Sequence, residues 1–217
     1  QGFDALDRLV SQTDAASGIT TLDYDAQDNL TQVKDPRGVT TTYFYNGLGD
    51  LIKQTSADTN SSAFAYDAAG NLIKKTDARK AVTLYSYDAL NRLTARTYPA
   101  NPALNVQYHY DMTAEGNNGI GRLTAVQDAS GILGYHYDTR GNLTEQLRSV
   151  DVLGVDQYDR VAYQYDGANQ LRRISYPSGI AVSYQRNGAG QVEQIDLQII
   201  FARTFLQRRQ RMARVVQ

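Results

Sequence analysis

The stretch Tyr66-Asp67-Ala68-Ala69-Gly70-Asn71-Leu72 recurs with small changes along most of this 217-residue sequence. Its first two positions recur every 21 residues in the first half of the chain and every 21 to 28 residues in the second half. The aligned pairs are Phe3-Asp4, Tyr24-Asp25, Tyr45-Asn46, Tyr66-Asp67, Tyr87-Asp88, Tyr110-Asp111, Tyr137-Asp138, Tyr165-Asp166 and Arg186-Asn187. A nearly constant period is typical of proteins in which one small structural unit is repeated many times.

The residues that follow each Tyr predict a tight turn. Four residues after the Tyr, nearly every repeat has Gly, Asn or Asp, the residues that best tolerate a positive φ. An Asp that opens the turn can accept a hydrogen bond from the backbone N–H two residues further on. Six residues after the Tyr the chain has an apolar residue, which an insertion moves to Leu123 in the sixth repeat. Together these features predict a β-hairpin loop, here called the Tyr-Asp turn, made of a type I turn followed by one left-handed residue.

The predicted structural positions are the Tyr, the Asp that opens the turn, the Gly near its end and the Leu beyond it. Each Tyr is expected to form a cross-strand pair with the following Leu, worth roughly 0.2–1 kcal/mol. The predicted positions are Tyr24, Asp25, Leu30, Tyr45, Gly49, Leu51, Tyr66, Asp67, Gly70, Leu72, Tyr87, Asp88, Leu93, Tyr110, Asp111, Leu123, Tyr137, Asp138, Gly141, Leu143, Tyr165, Asp166 and Leu171.

Alternating tyrosines and a second turn signal predict the fold class. All 16 Tyr except Tyr98, Tyr158 and Tyr176 lie at repeat positions, many as Tyr-x-Tyr, which places both rings on one face of a strand. A second turn signal, such as Asp35-Pro36-Arg37-Gly38, falls about five residues after each Leu. The sequence therefore predicts an all-β protein, a long antiparallel meander with two short strands in each repeat, in which a thick aliphatic core is not expected.

The repeats are predicted to fill residues 1–198, as eight or nine units of 21–28 residues, and two insertions, Met112 to Ile120 and Ser149 to Arg160, are expected to form surface loops. Residues 199–217 form a basic tail with five Arg and no acidic residue, predicted to be helical or disordered. The tail is open to interpretation as a truncated end, as an amphipathic helix for a membrane or partner, or as a nucleic-acid patch. The sequence has no Cys and no apolar run long enough for a membrane-spanning helix.

With the repeats aligned, the Tyr-Asp-x-x-Gly-Asn-Leu stretches at 66–72 and 137–143 resemble the YD repeat of the Rhs family. The resemblance covers about residues 3–196 and extends to bacterial polymorphic toxins, to the B and C components of insecticidal toxin complexes and to the animal teneurins. It implies a β-sheet strip that winds into a hollow shell, which in the bacterial members encloses a toxic C-terminal domain. The conserved segment that closes the bacterial core is not found in this sequence, so its self-cleavage activity is not carried over to any residue here.

No catalytic, cofactor-binding or metal site is predicted, and the chain is not expected to be an enzyme. The recurrent Asp residues are interpreted as turn-capping groups because they recur at one structural position. His109 and His136 lie in the middle of Tyr-x-Tyr sequences, on the face opposite the tyrosines, and are interpreted as solvated or loosely packed. The cluster Asp23, Asp25 and Asp28 lacks the Gly and the terminal Glu of a calcium loop.

Two functions are compatible with the sequence. The first is a non-catalytic structural segment of an Rhs-type toxin shell, whose partners are the remainder of the same chain and the enclosed effector domain. The alternative is a cell-surface repeat module that binds carbohydrate through its tyrosines. The resemblance implies a secreted or cell-surface location within a larger bacterial protein, and neither nucleic acid nor a membrane span is expected.

Overall fold

The computed structural model describes residues 1–152 and 155–199. The chain forms two compact units, Gln1–Asn105 and Val106–Gln217. Each is an antiparallel β-meander in which every strand pairs with its neighbour along the sequence. The prediction of an all-β repeat fold is confirmed.

The N-terminal unit contains ten strands and one 3₁₀ turn at Pro102–Leu104. Consecutive strands pair in antiparallel fashion from the first to the last. The strands are β1 (Gly2–Phe3), β2 (Leu9–Thr13), β3 (Ile19–Tyr24), β4 (Leu30–Lys34), β5 (Thr40–Tyr45), β6 (Leu51–Ser56), β7 (Asn60–Tyr66), β8 (Leu72–Thr76), β9 (Val82–Tyr87) and β10 (Leu93–Thr97).

The C-terminal unit contributes eight strands among the described residues and one 3₁₀ turn at Ala114–Gly116. Consecutive strands again pair in antiparallel fashion. The strands are β11 (Val106–Tyr110), β12 (Leu123–Asp128), β13 (Gly131–Tyr137), β14 (Leu143–Val152), β15 (Val155–Tyr165), β16 (Leu171–Ser175), β17 (Ile180–Arg186) and β18 (Val192–Ile199).

A β-bulge follows the Tyr-Asp turn in the exit strand. Tyr66 lies opposite Leu72, whereas the preceding residue, Ala65, lies opposite Lys74, so Ile73 is an extra residue. The shift places Leu72 and Lys75 on the face of Tyr66 and leaves Ile73 38% exposed. The same shift occurs beside Tyr24, Tyr45, Tyr137 and Tyr165. The alternation of side chains between the two faces of the sheet is therefore interrupted at the start of each of these exit strands.

The two units bury few side chains completely. Among the described residues, the buried apolar side chains are Val106, Ala125 and Ala181, and no large side chain is fully buried. Most Tyr and Leu residues of the repeat are instead half-buried on the sheet surface. Within the part of the chain that the structure describes, this agrees with the expectation that a thick aliphatic core is absent, and the stability of the strands depends on backbone pairing, on half-buried ring contacts and on turn hydrogen bonds.

The two insertions differ in structure. Residues 112–120 lengthen a turn between β11 and β12, as predicted for a surface loop. The loop prediction for Ser149 to Arg160 is wrong, because these residues lengthen β14 and β15, which stay paired from Glu145 opposite Ala162 out to Val152 opposite Val155. The alternation of polar and apolar residues from Ser149 to Val152 is typical of a strand, so this insertion lengthens the hairpin instead of forming a loop. Strand β18 extends to Ile199, so the predicted boundary of the tail at residue 199 is one residue too early. The rest of the predicted helical or disordered tail, residues 200–217, lies outside the described residues.

The Tyr-Asp turn and the tyrosine ladder

The turn after Tyr66 has the predicted geometry. The backbone N–H of Asp67 donates to the carbonyl of Asn71 (3.0 Å), and the N–H of Gly70 donates to the carbonyl of Asp67 (3.1 Å). Gly70 has a φ of 81°, the left-handed conformation that closes the loop. The equivalent residue of the other repeats also has a positive φ: Asp7, Asp28, Gly49, Asn91, Gly141, Asn169 and Gly190.

The Asp67 carboxylate holds this turn together. Its Oδ1 accepts hydrogen bonds from the backbone N–H groups of Ala69 and Asn71, both at 2.9 Å, and its Oδ2 accepts one from the Asn71 side-chain amide at 3.0 Å. These bonds favour the ionised form, and the Asn71 side chain lowers the pKa of Asp67 the most, followed by the Asn71 backbone N–H. The bond two residues on is predicted from the sequence, whereas the second backbone bond and the side-chain bond are not.

In seven of the Tyr-Asp turns the first and fifth residues form a complementary side-chain pair. In five of these the first residue is Asp, and the fifth donates from Asn or Arg to its Oδ2. In the third repeat the roles are reversed, because Asn46 donates from its amide to Asp50 (2.8 Å). The remaining observed pairs are Arg8 to Asp4, Asn29 to Asp25, Arg92 to Asp88, Asn142 to Asp138 and Asn187 to Gln191. Two carboxylates never face each other in these pairs.

Consecutive Tyr-Asp turns are also linked along the edge of the sheet. The fifth residue of one turn reaches the left-handed residue of the next turn, as a hydrogen bond or an ion pair. The links join Arg8 to Asp28 (2.7 Å), Asn71 to Asn91 (2.9 Å) and Asn142 to Asn169 (3.0 Å). When the left-handed residue is Asp or Asn, its backbone closes its own turn and its side chain bonds to the turn of the preceding repeat.

A second connection between repeats runs through the tyrosine hydroxyls and is here called the tyrosine ladder. Each Tyr of the ladder donates its hydroxyl to the backbone carbonyl of the Leu one repeat earlier. The bonds join Tyr24 to Leu9 (3.0 Å), Tyr45 to Leu30 (2.9 Å), Tyr66 to Leu51 (3.0 Å), Tyr87 to Leu72 (3.0 Å) and Tyr137 to Leu123 (2.7 Å). The predicted cross-strand pairs of Tyr with the following Leu are present as well, for example Tyr66 opposite Leu72.

The ninth repeat keeps this connection with a different side chain. Arg186 stands where the other repeats have Tyr, and its Nη2 donates to the carbonyl of Leu171 at 3.3 Å. Burial raises the pKa of Tyr45, Tyr66, Tyr87 and Tyr137, so that these hydroxyls keep their proton well above neutral pH. These donors of the ladder are therefore protonated under physiological conditions.

The sixth repeat closes its lengthened turn by other means. Tyr110 still lies opposite Leu123, and the N–H of Gly121 donates to Asp111 at 2.6 Å. Within the insertion, the side chain of the buried Asn117 bonds to the backbone of β13 as a neighbouring strand would. Its amide nitrogen donates to the carbonyl of Tyr135 (2.9 Å), and its amide oxygen accepts from the N–H of Tyr137 (2.9 Å). Sequence reasoning missed Asn117, because nothing distinguishes it from other polar loop residues.

The other chemistry-bearing residues do not gather into one site. Asp25 holds its own turn, Asp28 pairs with Arg8, and Asp23 accepts from Gln32 (2.8 Å). Of the two interpretations of His109, the solvated one does not hold for its Nε2, which is shielded from solvent and has no hydrogen-bond partner among the described residues; a loosely packed ring remains compatible with the structure. Within that part of the chain no group of three or more His, Cys, Asp or Glu side chains is placed to hold a metal ion. Neither described 3₁₀ turn is long or apolar enough to cross a membrane.

The hydrogen bonds of Asp67 predict how the stability of the fold depends on pH. Because the folded pKa is lowered, the carboxylate stabilises the fold above its unfolded pKa of about 3.9, and this contribution is lost as the pH falls through the folded pKa. We expect Asp67→Asn, which keeps the acceptor oxygen as Asn46 does, to stay close to wild type at neutral pH and to lose less stability in acid. Urea unfolding at a series of pH values measures this.

Asp67→Ala is the matched control, because it removes the acceptor at every pH. It should lower the unfolding free energy at neutral pH as well as in acid. If Asp67→Asn and wild type lost stability in parallel as the pH fell, the carboxylate would not be the source of the acid sensitivity.

Comparison with known proteins places these repeats in a family. The RHS Repeat family model matches residues 3–40, 24–61, 45–82, 66–103 and 118–151, which together make up more than half of the chain. Successive matches in the first half are offset by the repeat period seen in the sequence. No curated protein matches the chain.

Solved toxin structures share the fold. A TcdB2-TccC3-TEV structure matches with a TM-score of 0.73 and 16% identity over 90% of this chain and 11% of that chain. A TcdB2-TccC3 structure matches with a TM-score of 0.71 and 15% identity over 87% of this chain and 11% of that one. The Tc holotoxin pore of Photorhabdus luminescens matches with a TM-score of 0.70 and 16% identity, over 87% and 11%. This chain thus spans about a tenth of each of these chains; with its repeats matched by the family model, it belongs to the RHS repeat family.

Proposed function

We propose that this chain is a structural wall segment of an RHS-type toxin shell, which encloses an effector domain located towards the C-terminus of the longer protein. The observation that carries this proposal is the tyrosine ladder. Each rung bonds one repeat to the repeat before it, so the contact can continue for as long as repeats are added. A sheet built in this way is suited to forming a large continuous wall, because it does not depend on a central core.

The last described strand supports this interpretation. In β18, Ile195, Leu197 and Ile199 are 63%, 69% and 66% exposed, and they lie opposite Tyr184, Val182 and Ile180 of β17. A further repeat against β18 would cover these apolar side chains and pair its backbone. The proposed partners are accordingly the rest of the same chain and the enclosed domain.

We further propose that the segment is non-catalytic. Its recurrent carboxylates are engaged in turn hydrogen bonds, which lower the pKa of Asp25, Asp67, Asp88 and Asp138. A carboxylate stabilised in its ionised form is a poor proton donor at neutral pH. The similarity to Tc toxin structures suggests that the longer protein is secreted or lies at the cell surface. The segment would then form part of the wall that encloses the effector domain.

The shell proposal is tested in the longer protein that contains this chain. The coding sequence on both sides should encode further repeats followed by a distinct domain. Limited proteolysis should cleave that domain much more slowly in the intact protein than when it is expressed alone. Equal cleavage rates, or the absence of any such domain, would overturn the proposal.

A groove in the C-terminal unit favours carbohydrate binding as the second candidate. It has a volume of about 550 Å³ and is lined by Asp138, Arg140, Thr144, Tyr163, Tyr165 and Arg172. Aromatic rings beside carboxylate and guanidinium groups suit a sugar, which offers C–H faces and hydroxyls. The Tyr163 hydroxyl donates to Gln146 (3.0 Å) and takes no part in the tyrosine ladder.

If the chain binds carbohydrate here, Tyr163→Ala should abolish the signal on a glycan array, while Tyr43→Ala and Tyr85→Ala, which lie in the other unit, should retain it. The circular dichroism of each variant would show that its fold is intact. A loss of binding caused by Tyr43→Ala and Tyr85→Ala instead would place the sugar on the N-terminal unit.

A further inference from the structure

Three Asn-Gly pairs occur in the sequence, at Asn46-Gly47, Asn118-Gly119 and Asn187-Gly188. Asn is a chemically labile residue. It reacts most readily when Gly follows, because no side chain then shields the next backbone nitrogen. That nitrogen attacks the Asn side-chain carbonyl carbon, ammonia leaves, and a five-membered succinimide forms. Water then opens the ring to Asp or to isoaspartate. The structure gives these three pairs different surroundings.

Asn46 is held in an arrangement that favours this attack. Its Oδ1 accepts hydrogen bonds from the backbone N–H groups of Leu48 and Asp50, both at 2.9 Å, so its side-chain carbonyl is held over the backbone that follows it. Two such donors polarise the carbonyl and stabilise the negative charge that develops on its oxygen during addition. Gly47 is exposed, its missing side chain would meet open space, and among the described residues its N–H donates no hydrogen bond.

Asn118 is protected. Its side-chain amide donates to the carbonyls of Tyr137 (3.1 Å) and Gly116 (3.3 Å), and its own backbone N–H donates to Tyr137 (3.2 Å). The next residue, Gly119, is buried against the carbonyl of Met112 and the methyl group of Thr124. Formation of a succinimide would require this packed loop to open.

The consequence of deamidation differs between the two accessible pairs. Asn46 donates its amide to Asp50, so an Asp at position 46 would place two carboxylates at hydrogen-bonding distance, a repulsive arrangement that no observed pair of first and fifth residues shows. At Asn187 the partner is Gln191 (3.3 Å), which can donate to a carboxylate instead. An Asp product at position 187 is therefore compatible with its turn.

We propose that Asn46 is a site of spontaneous deamidation, and that its Asp product loosens the Tyr-Asp turn of the third repeat. The only co-reactant is water, and ammonia is the leaving group. The reaction is independent of the proposed shell function. The deamidated fraction at Asn46 grows with time, and the product weakens the fold at this one position.

The first experiment follows the reaction directly. The full chain is incubated in mildly alkaline buffer, and peptide mapping by mass spectrometry measures the deamidated fraction at each pair. We expect loss of Asn46 and Asn187 over a period in which Asn118 is unchanged, and Gly47→Ala, whose added methyl meets open space, should slow the reaction at Asn46. Loss of Asn118 as fast as Asn46, or no loss of Asn46, would overturn the proposal.

The second experiment tests the consequence through the Asp product itself. Asn46→Asp should lower the denaturation midpoint, whereas Asn187→Asp should leave it close to wild type. Adding Asp50→Asn to Asn46→Asp recreates the Asp–Asn pair seen at Asp67 and Asn71, and it should restore the midpoint. An unchanged midpoint for Asn46→Asp, or a double variant as unstable as the single one, would refute the proposed effect on the turn.

Discussion

Tyr66→Ala is expected to lower the unfolding free energy of the chain by about 2 kcal/mol, and Tyr66→Phe by about 1 kcal/mol. The Ala variant loses the half-buried ring, which lies opposite Leu72 in the sheet, together with the hydroxyl bond to Leu51 (3.0 Å). The Phe variant loses the bond alone. The value for Ala is set below that of a fully buried aromatic residue because the ring is only half-buried.

Tyr43→Phe provides the matched control. Tyr43 precedes Tyr45 by two residues in β5 and so lies on the same face of the strand, but its hydroxyl donates no hydrogen bond among the described residues. Urea unfolding monitored by circular dichroism should show almost no change for this variant. An equal loss for Tyr43→Phe and Tyr66→Phe would mean that the bond to the Leu carbonyl adds nothing.

The tyrosine ladder gives the repeats a direction. The donor in one repeat always reaches a carbonyl in the repeat before it, about fifteen residues earlier, as from Tyr87 to Leu72. Removal of one donor therefore weakens the contact between two neighbouring repeats and leaves more distant repeats unaffected. This is the behaviour expected of repeat proteins, whose stability is approximately a sum of unit and nearest-neighbour contributions.

The local geometry of the repeat could be predicted from sequence because it depends on residue types with strong conformational preferences. Asn91 and Gly70 indicate a left-handed backbone by their identity, and Tyr66 and Leu72 indicate a cross-strand pair by their spacing. The structure has all of these features. The period then extends the same prediction to the other repeats.

Features that depend on backbone atoms could not be predicted in this way. The bulge at Ile73 leaves no mark in the sequence, because Leu72 and Ile73 are both suited to a strand. The acceptor of each tyrosine is a backbone carbonyl, which every residue has. The loop prediction for Ser149 to Arg160 fails for a different reason: it rests on the segment being an insertion into the repeat, although Ser149 to Val152 alternate polar and apolar residues as a strand does.

Gly131→Ala is expected to be more damaging than any other glycine substitution in the turns, with a loss of about 3 kcal/mol or more. Gly131 follows the Ala129-Ser130 turn with a φ of 129°, a conformation that residues with a side chain rarely adopt. A methyl group there would overlap the carbonyl oxygen of Ser149 and would lie 2.9 Å from the carbonyl carbon of the same residue. These are backbone atoms of β14, which cannot move without separating it from β13.

Two other glycines separate the cost of a positive φ from the cost of the steric overlap with a neighbouring strand. Gly70 has a φ of 81° and open space where a methyl group would be added, so Gly70→Ala should cost about 1–2 kcal/mol through the backbone alone. Gly167 has open space and no positive φ, so Gly167→Ala should lie between no change and a gain of about 1 kcal/mol. Chemical denaturation of the three variants should give this order. If Gly131→Ala were no worse than Gly70→Ala, then β13 and β14 would have room to separate at this point, and the close approach of their backbones would not be a requirement of the fold.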